Sequence, residues 1–335
     1  MKTAAVLLTI AALVSVARPS LAQAANPPAP EPPRITKLGT IDCDMVETTP
    51  IVFNGRLYRF EYVRDFYYKP NTTGRSHFRF VDVASGEAGA PFAWDQHLGS
   101  ALVHGDTVYV FGVNKWGGDA IQVFWSKDLS SWETQTGITL PGWELFNNGV
   151  CRAGDRFVMA IEIGAPPEEA GQPFTMRFLE SDNLREWRLT PPECVYTKDR
   201  YSACPSLAFL DGFYYMFYLE SCPGFYAEAL VRSNDLVHWE PSPFNPVLKH
   251  SDDDRKIASN ALTAEQRERI RTAANINNSD FDFCEFQGKT VILYSWGNQQ
   301  GVEHLAEAVY DGTKASFLRA FFPPEPRSND GGSTE

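Results

Sequence analysis

YSACPSLAFLDGFYYMFYLESCPGFYAEALVRSNDLVHWE, residues 201–240, reads as three strands joined by two turns. Cys204–Phe209 is apolar and runs into Asp211-Gly212, a pair suited to the positive φ angles of a tight hairpin. Phe213–Leu219 returns as an aromatic run, and Pro223-Gly224 marks a loop. Ala227–Arg232 makes the third strand, followed by Ser233-Asn234-Asp235-Leu236 and Trp239. A module of this size cannot bury its own faces, which predicts that it is one copy of a repeat.

Four further copies are legible. Thr49–Tyr62 turns at Asn54-Gly55 and is followed by His77–Val83. Ser100–Val113 turns around Gly105, Gly149–Ile163 around Gly154-Asp155, and Phe281–Trp296 around Gln287-Gly288. The phrase S-x-D/N-L-x-x-W occurs three times, with its tryptophans 132, 187 and 239 spaced by 55 and 52 residues. First strands begin near Glu47, His97, Asn147, Tyr201 and Asn278. Five copies with a period near 50 residues predict an all-β fold, a five-bladed β-propeller. The exception is an insertion at about 251–275, where the capping box Thr263–Gln266 predicts a short helix that either walls the pocket or decorates the rim.

The ends and the composition bound the setting. Lys2, an apolar run from Ala4 to Ala17 and Ala22-Gln23-Ala24 form a signal-peptide pattern over residues 1–24, too short in its apolar part for an ordinary membrane span. This predicts a secreted or periplasmic protein, with no membrane association after cleavage. Residues 25–34 are a proline-rich linker, 35–327 a single propeller domain, and 328–335 a polar, disordered tail. The formal net charge is −12, and a cleaved signal removes Lys2 and Arg18, leaving the mature chain more acidic still. That argues against nucleic acid and anionic surfaces and for a neutral ligand. The oligomeric state is not legible.

Six cysteines in an exported chain permit disulfides. Cys204 and Cys222 flank the Asp211-Gly212 hairpin almost symmetrically and are one candidate pair, the alternative being small buried residues.

The S-x-D-L-x-x-W phrase and hairpins such as NGRLYRF and DGFYYMFY resemble those of the five-bladed propeller glycoside hydrolases and their relatives. These include family 43 arabinanases and xylosidases, family 32 fructosidases, family 117 neoagarooligosaccharide hydrolases and family 130 mannoside phosphorylases. The resemblance spans nearly all of residues 40–325. It implies a glycosidase (EC 3.2.1.-) of plant or algal oligosaccharides, expected to be exo-acting because a propeller pocket is blind-ended. No cofactor is implied, with a structural Ca2+ in the central channel left open. A phosphorylase and a non-catalytic carbohydrate-binding propeller are the alternatives.

Propeller geometry puts pocket residues just before each first strand and just after each second one. Carboxylates are the groups glycoside hydrolysis needs, one ionised and one kept protonated. Glu47, ahead of the first hairpin, is the candidate for the ionised one, although related enzymes carry Asp beside Pro where Thr48-Thr49 intervenes here. They also place a glutamate at the start of the third blade, where this chain has Phe146-Asn147-Asn148. Glu162 and Glu220 each follow their turn glycine by eight residues in apolar settings, and read either as pocket acids or as buried structural carboxylates. Asp280 shares an alternation with Asn278 and Asp282 and is a third catalytic candidate. His97, Trp116, Asn147, Asn148, Arg200, Tyr201, Glu220, Trp296 and Asn298 are candidates for binding a sugar through stacking and hydroxyl bonds.

Overall fold

The computed structural model describes residues 31–67 and 74–324. The expected signal sequence, residues 25–30 of the linker and the C-terminal tail lie outside the described residues. Strand β1 (Thr36–Cys43) precedes the blades. Blade 1 holds β2 (Thr48–Phe53), β3 (Arg56–Arg64) and β4 (Ser76–Asp82). Blade 2 holds β5 (His97–His104), β6 (Thr107–Val113), β7 (Ala120–Ser126) and β8 (Glu133–Thr139). Blade 3 holds β9 (Glu144–Ala153), β10 (Arg156–Ala165), β11 (Thr175–Ser181) and β12 (Arg188–Leu189). Blade 4 holds β13 (Ser202–Leu210), β14 (Phe213–Cys222), β15 (Phe225–Ser233) and the short β16 (Glu240–Pro241) and β17 (Leu248–Lys249). Blade 5 holds β18 (Asn277–Phe286), β19 (Lys289–Gly297) and β20 (Glu303–Tyr310).

The innermost strands β2, β5, β9, β13 and β18 contact one another in that order, and β18 packs back on β2. The five blades therefore close a ring. Closure is completed at the rim, where β1 pairs antiparallel with β20 and sets Cys43 opposite His304. β1 supplies the outer strand of the last blade, a role that the repeat pattern alone does not reveal.

The repeated phrase explains itself in the structure. In each copy the Ser hydroxyl and the Asp or Asn side chain accept backbone N–H groups of the following turn, as Ser126 and Asp128 do. The Leu then takes a left-handed φ, 61° at Leu129, 64° at Leu184 and 66° at Leu236. This aims each Trp at the blade before it. Trp132 stacks on Phe92 of blade 1 at 3.8 Å, Trp187 meets Phe111 of blade 2 at 5.6 Å, and Trp239 stacks on Phe178 of blade 3 at 5.5 Å. The tryptophans are inter-blade packing residues.

Among the described residues the strands are accompanied by three α-helices, α1 (Pro167–Ala170), α2 (Ala264–Thr272) and α3 (Lys314–Ala320), and one 3-10 turn, Asp252–Arg255. The expected capping box opens α2, with Thr263 and Gln266 bonding each other's backbone N–H. α2 lies against β1 and stays out of the central pocket. α3 carries no signal in the repeat pattern. It buries Phe317 against Phe217 and Phe281 beneath blades 4 and 5. Among the described residues no helix is long and apolar enough to cross a membrane.

Candidate active site

The axial pocket holds about 480 Å³ and opens at the ends of the second strands. Glu47, Glu162 and Asp280 all line it, as do Trp116, Asn147 and Tyr201. Backbone bulges explain how. The pairing of β18 with β19 shifts between Ser279 and Asp282, and Asp280 takes a left-handed φ of 53°. The same irregularity opens β5 at Leu98 (φ 54°) and β13 at Cys204 (φ 51°). A bulge re-aims a side chain. Asp280 therefore turns into the pocket, whereas Asn278 bonds Lys37 and Asp254, and Asp282 accepts from the Ser206 hydroxyl at 2.8 Å. The expected alternation of 278, 280 and 282 on one face fails for this reason.

Glu162 is held by two donors on one oxygen, Cys204 N at 2.8 Å and Asn147 Nδ2 at 3.1 Å. Glu47 Oε2 is buried with no hydrogen-bond partner among the described residues. Burial, with the Asp280 carboxylate nearby, pushes Glu47 up to about 8. Burial likewise raises Glu162 to about 7, against the two bonds just named. Both causes favour the protonated form of Glu47, where the sequence reading expected an ionised one.

A fourth acid, Glu303, also lines the pocket, and no sequence signal marks it. Burial raises it to about 8, against the bond it accepts from Gln299 N at 2.6 Å. It anchors the loop whose residues 299–301 form one wall. It opens the third strand of its blade, a position that the rule for first and second strands passes over. Phe146 and Phe174, edge to face at 4.7 Å, supply an apolar wall. Arg64 is the one cationic side chain among the described residues lining the pocket, 4.4 Å from the Tyr67 ring and 5.8 Å from Trp116.

Six binding candidates do not line the pocket. Glu220 is displaced by register. Gly154 is the first residue of its two-residue turn and Gly212 the second, so counting eight from each lands one residue apart. One residue flips the face of a strand, and it is Leu219 that reaches the pocket. Glu220 instead faces Arg200 at 3.6 Å, and Arg200 also pairs with Asp199 at the surface. Trp296 is fully buried, its indole N–H donating to Thr40 Oγ1 at 2.9 Å. Asn148 is consumed by Ser100 and the Leu98 carbonyl. His97 sits behind Trp116 and bonds Tyr62 OH at 2.6 Å, and burial beside Arg64 lowers it to about 4. Asn298 shapes the loop from outside by accepting from Gln300 N and Val302 N.

Cys204 turns into the pocket and all six cysteines are free. The Cys204–Cys222 pair fails on register: Ser202 stands opposite Glu220, which leaves the two cysteines several residues out of step. Below the pocket the axial channel is ringed by Thr49, Ser100, Asn148, Ser206 and Asp282. Glu47 and Asp280 also line this channel, and among the described residues no three His, Cys, Asp or Glu side chains are grouped so as to hold a metal ion.

Comparison with solved structures places this architecture. The BT0996 RGII complex superposes with a TM-score of 0.57 at 14% identity, covering 84% of this chain and 94% of that one. An α-L-arabinofuranosidase from Podospora anserina, in complex with cellotriose, gives 0.56 at 9%, covering 84% and 97%. A xylan β-1,4-xylosidase from Bacillus halodurans gives 0.53 at 14%, covering 82% of this chain and 54% of that one. The chain has the five-bladed propeller fold of glycoside hydrolases. At these identities the likeness is one of fold. No protein-family model matches the sequence, and no curated protein matches it.

Proposed function

We propose that this protein is an exported glycosidase that removes sugar units from the end of a neutral plant or algal oligosaccharide. The observation that carries the reading is the convergence of Glu47, Glu162, Glu303 and Asp280 on one pocket, with Asp280 the charge that the other three feel. Glycoside hydrolysis needs this division of labour, a carboxylate beside a carboxylic acid kept neutral near pH 7. Glu47 is the proton donor. It lines the pocket, and its Oε2 makes no hydrogen bond among the described residues. Asp280, fixed by the Ser295 hydroxyl at 2.8 Å, is the partner carboxyl that accepts a proton from water or steadies the sugar cation. Glu162 positions Asn147 and the Cys204 backbone, and the phenylalanine wall takes the C–H face of the ring. Below the acids the axial channel narrows to about 30 Å³, too tight for a sugar chain to thread, which favours the exo mode.

The test is turnover of a panel of aryl glycosides and plant and algal oligosaccharides by wild type, Glu47→Gln and Asp280→Asn. Loss of oligosaccharide cleavage in Glu47→Gln, with activity spared on dinitrophenyl glycosides that need no proton, supports the assignment. Sugar binding without release of product by wild type would make the protein a carbohydrate-binding propeller.

A further inference from the structure

Few large apolar side chains are exposed among the described residues, and two of them, Phe66 and Trp94, sit on the pocket-side edge of blade 1. Their placement follows from the blade. β3 ends at Arg64, which lines the pocket, and Arg64 pairs with Ser76 at the start of β4. The chain then turns below and climbs back along β4. Ala88 stands opposite Val81, Phe92 opposite Phe78, and Asp95 N bonds the Ser76 carbonyl. Residues 87–95 thus act as the outer strand of blade 1, and Trp94 arrives on the same face as the pocket mouth. Two strand spacings separate it from Arg64, roughly 10 Å at about 4.8 Å each.

Trp94 is 45% exposed and held in place. The Arg75 guanidinium lies 4.6 Å from its ring centroid, and the His77 ring 4.9 Å away at a 44° tilt. Arg75 is in turn clamped by Asp95, through Nε at 2.9 Å and Nη2 at 2.8 Å. Nothing in blade packing requires a preorganised indole at this edge. The three repeated tryptophans already fill that role inside the molecule.

We propose that Trp94, with Arg75 and Asp95, is a sugar-stacking platform that receives the part of an oligosaccharide chain projecting from the pocket. It rests on the glycosidase reading of that pocket and adds to it a preference for longer chains. An indole face takes the C–H surface of a pyranose or furanose ring, and the Arg75–Asp95 pair offers donors and acceptors to its hydroxyls. A span of about 10 Å places the contact past the sugars that flank the scissile bond. The neutral chain that suits an acidic protein suits this edge as well.

The test measures KM for xylan- and arabinan-derived oligosaccharides of two to six units with wild type, Trp94→Ala and Trp94→Phe. Wild type is expected to bind six-unit chains better than two-unit chains. Trp94→Ala should erase roughly three- to tenfold of that advantage, the worth of one aromatic contact, and Trp94→Phe should keep most of it. An undiminished advantage in Trp94→Ala, or none in wild type, overturns the platform while leaving the glycosidase standing. A wild type that cleaves none of the probes and no aryl glycoside overturns the glycosidase reading, and the platform with it.

Discussion

Arg269 of α2 grips Asp44 with both of its terminal nitrogens, at 2.5 and 2.9 Å, three residues before Glu47. The inserted helix never touches the pocket, yet it fixes the loop that delivers the pocket's acid. Asp44 N also bonds the Glu303 carbonyl at 2.9 Å, so the two acidic walls share one anchor. Arg269→Ala is predicted to lower kcat by roughly threefold to thirtyfold, the span of about 0.5–2 kcal/mol of coupling through a contact that meets no ligand. The pair is half-exposed, so its loss should cost only about 1 kcal/mol of stability. A change in melting temperature with kcat intact would reduce Arg269 to a surface contact.

Glu47 sets an alkaline limit. A donor must carry its proton, and burial beside Asp280 raises its pKa to about 8. The rate should therefore fall as pH rises through about 8, with the limb absent from the residual activity of Glu47→Gln on dinitrophenyl glycosides. The loss on ordinary oligosaccharides should reach roughly 10²–10⁴-fold. An identical alkaline limb in wild type and variant would move the donor elsewhere.

The same groups make stability depend on pH. Glu47, Glu162 and Glu303 have folded values near 8, 7 and 8, above an ordinary value of 4.5. The folded state binds these protons more tightly than the unfolded chain, so their contribution is full below pH 4.5 and is lost as pH rises to about 8. Thermal melts between pH 5 and 8 should show a declining Tm, and Glu303→Gln should flatten the decline. A Tm rising over that range would contradict the burial of these acids.

Six free thiols predict a plain labelling result. Denatured, unreduced protein should take up six equivalents of a thiol reagent. Native protein should react slowly at Cys204, because burial and nearby carboxylates hold that thiol well above its usual pKa. Protection of Cys204 and Cys222 in the denatured sample would restore the disulfide.

The fold was legible because its signals are local. Turn pairs such as Asn54-Gly55 recur with each blade and a phrase that ends in Trp with three of them, and the structure gives each a backbone or packing duty. The pocket was legible by position: strand ends point inward, which brought Glu47, Glu162, Asp280, Trp116, Asn147 and Tyr201 together. What failed was parity. Glycine stands first in one turn and second in another, and that single step sent Glu220 outward. Bulges at Leu98, Cys204 and Asp280 broke the alternation that a bare strand would keep. Neither device leaves a mark in composition. Glu303 was missed because its partners, Gln299 and Asn277, lie on other strands and loops.

The join between β1 and β20 also orders events in time. β1, the first of the described strands, bonds residues 256–258 through Thr40, but its ladder partner β20 is made only when residues near 304 have been added. Until then β1 lacks its ladder, and blade 5 its outer strand. Such sequence separation slows folding and lengthens exposure to aggregation. Shortening the chain beyond Ile35 should thus act less like trimming an end than like leaving a clasp undone, with refolding yield suffering before any catalytic property does.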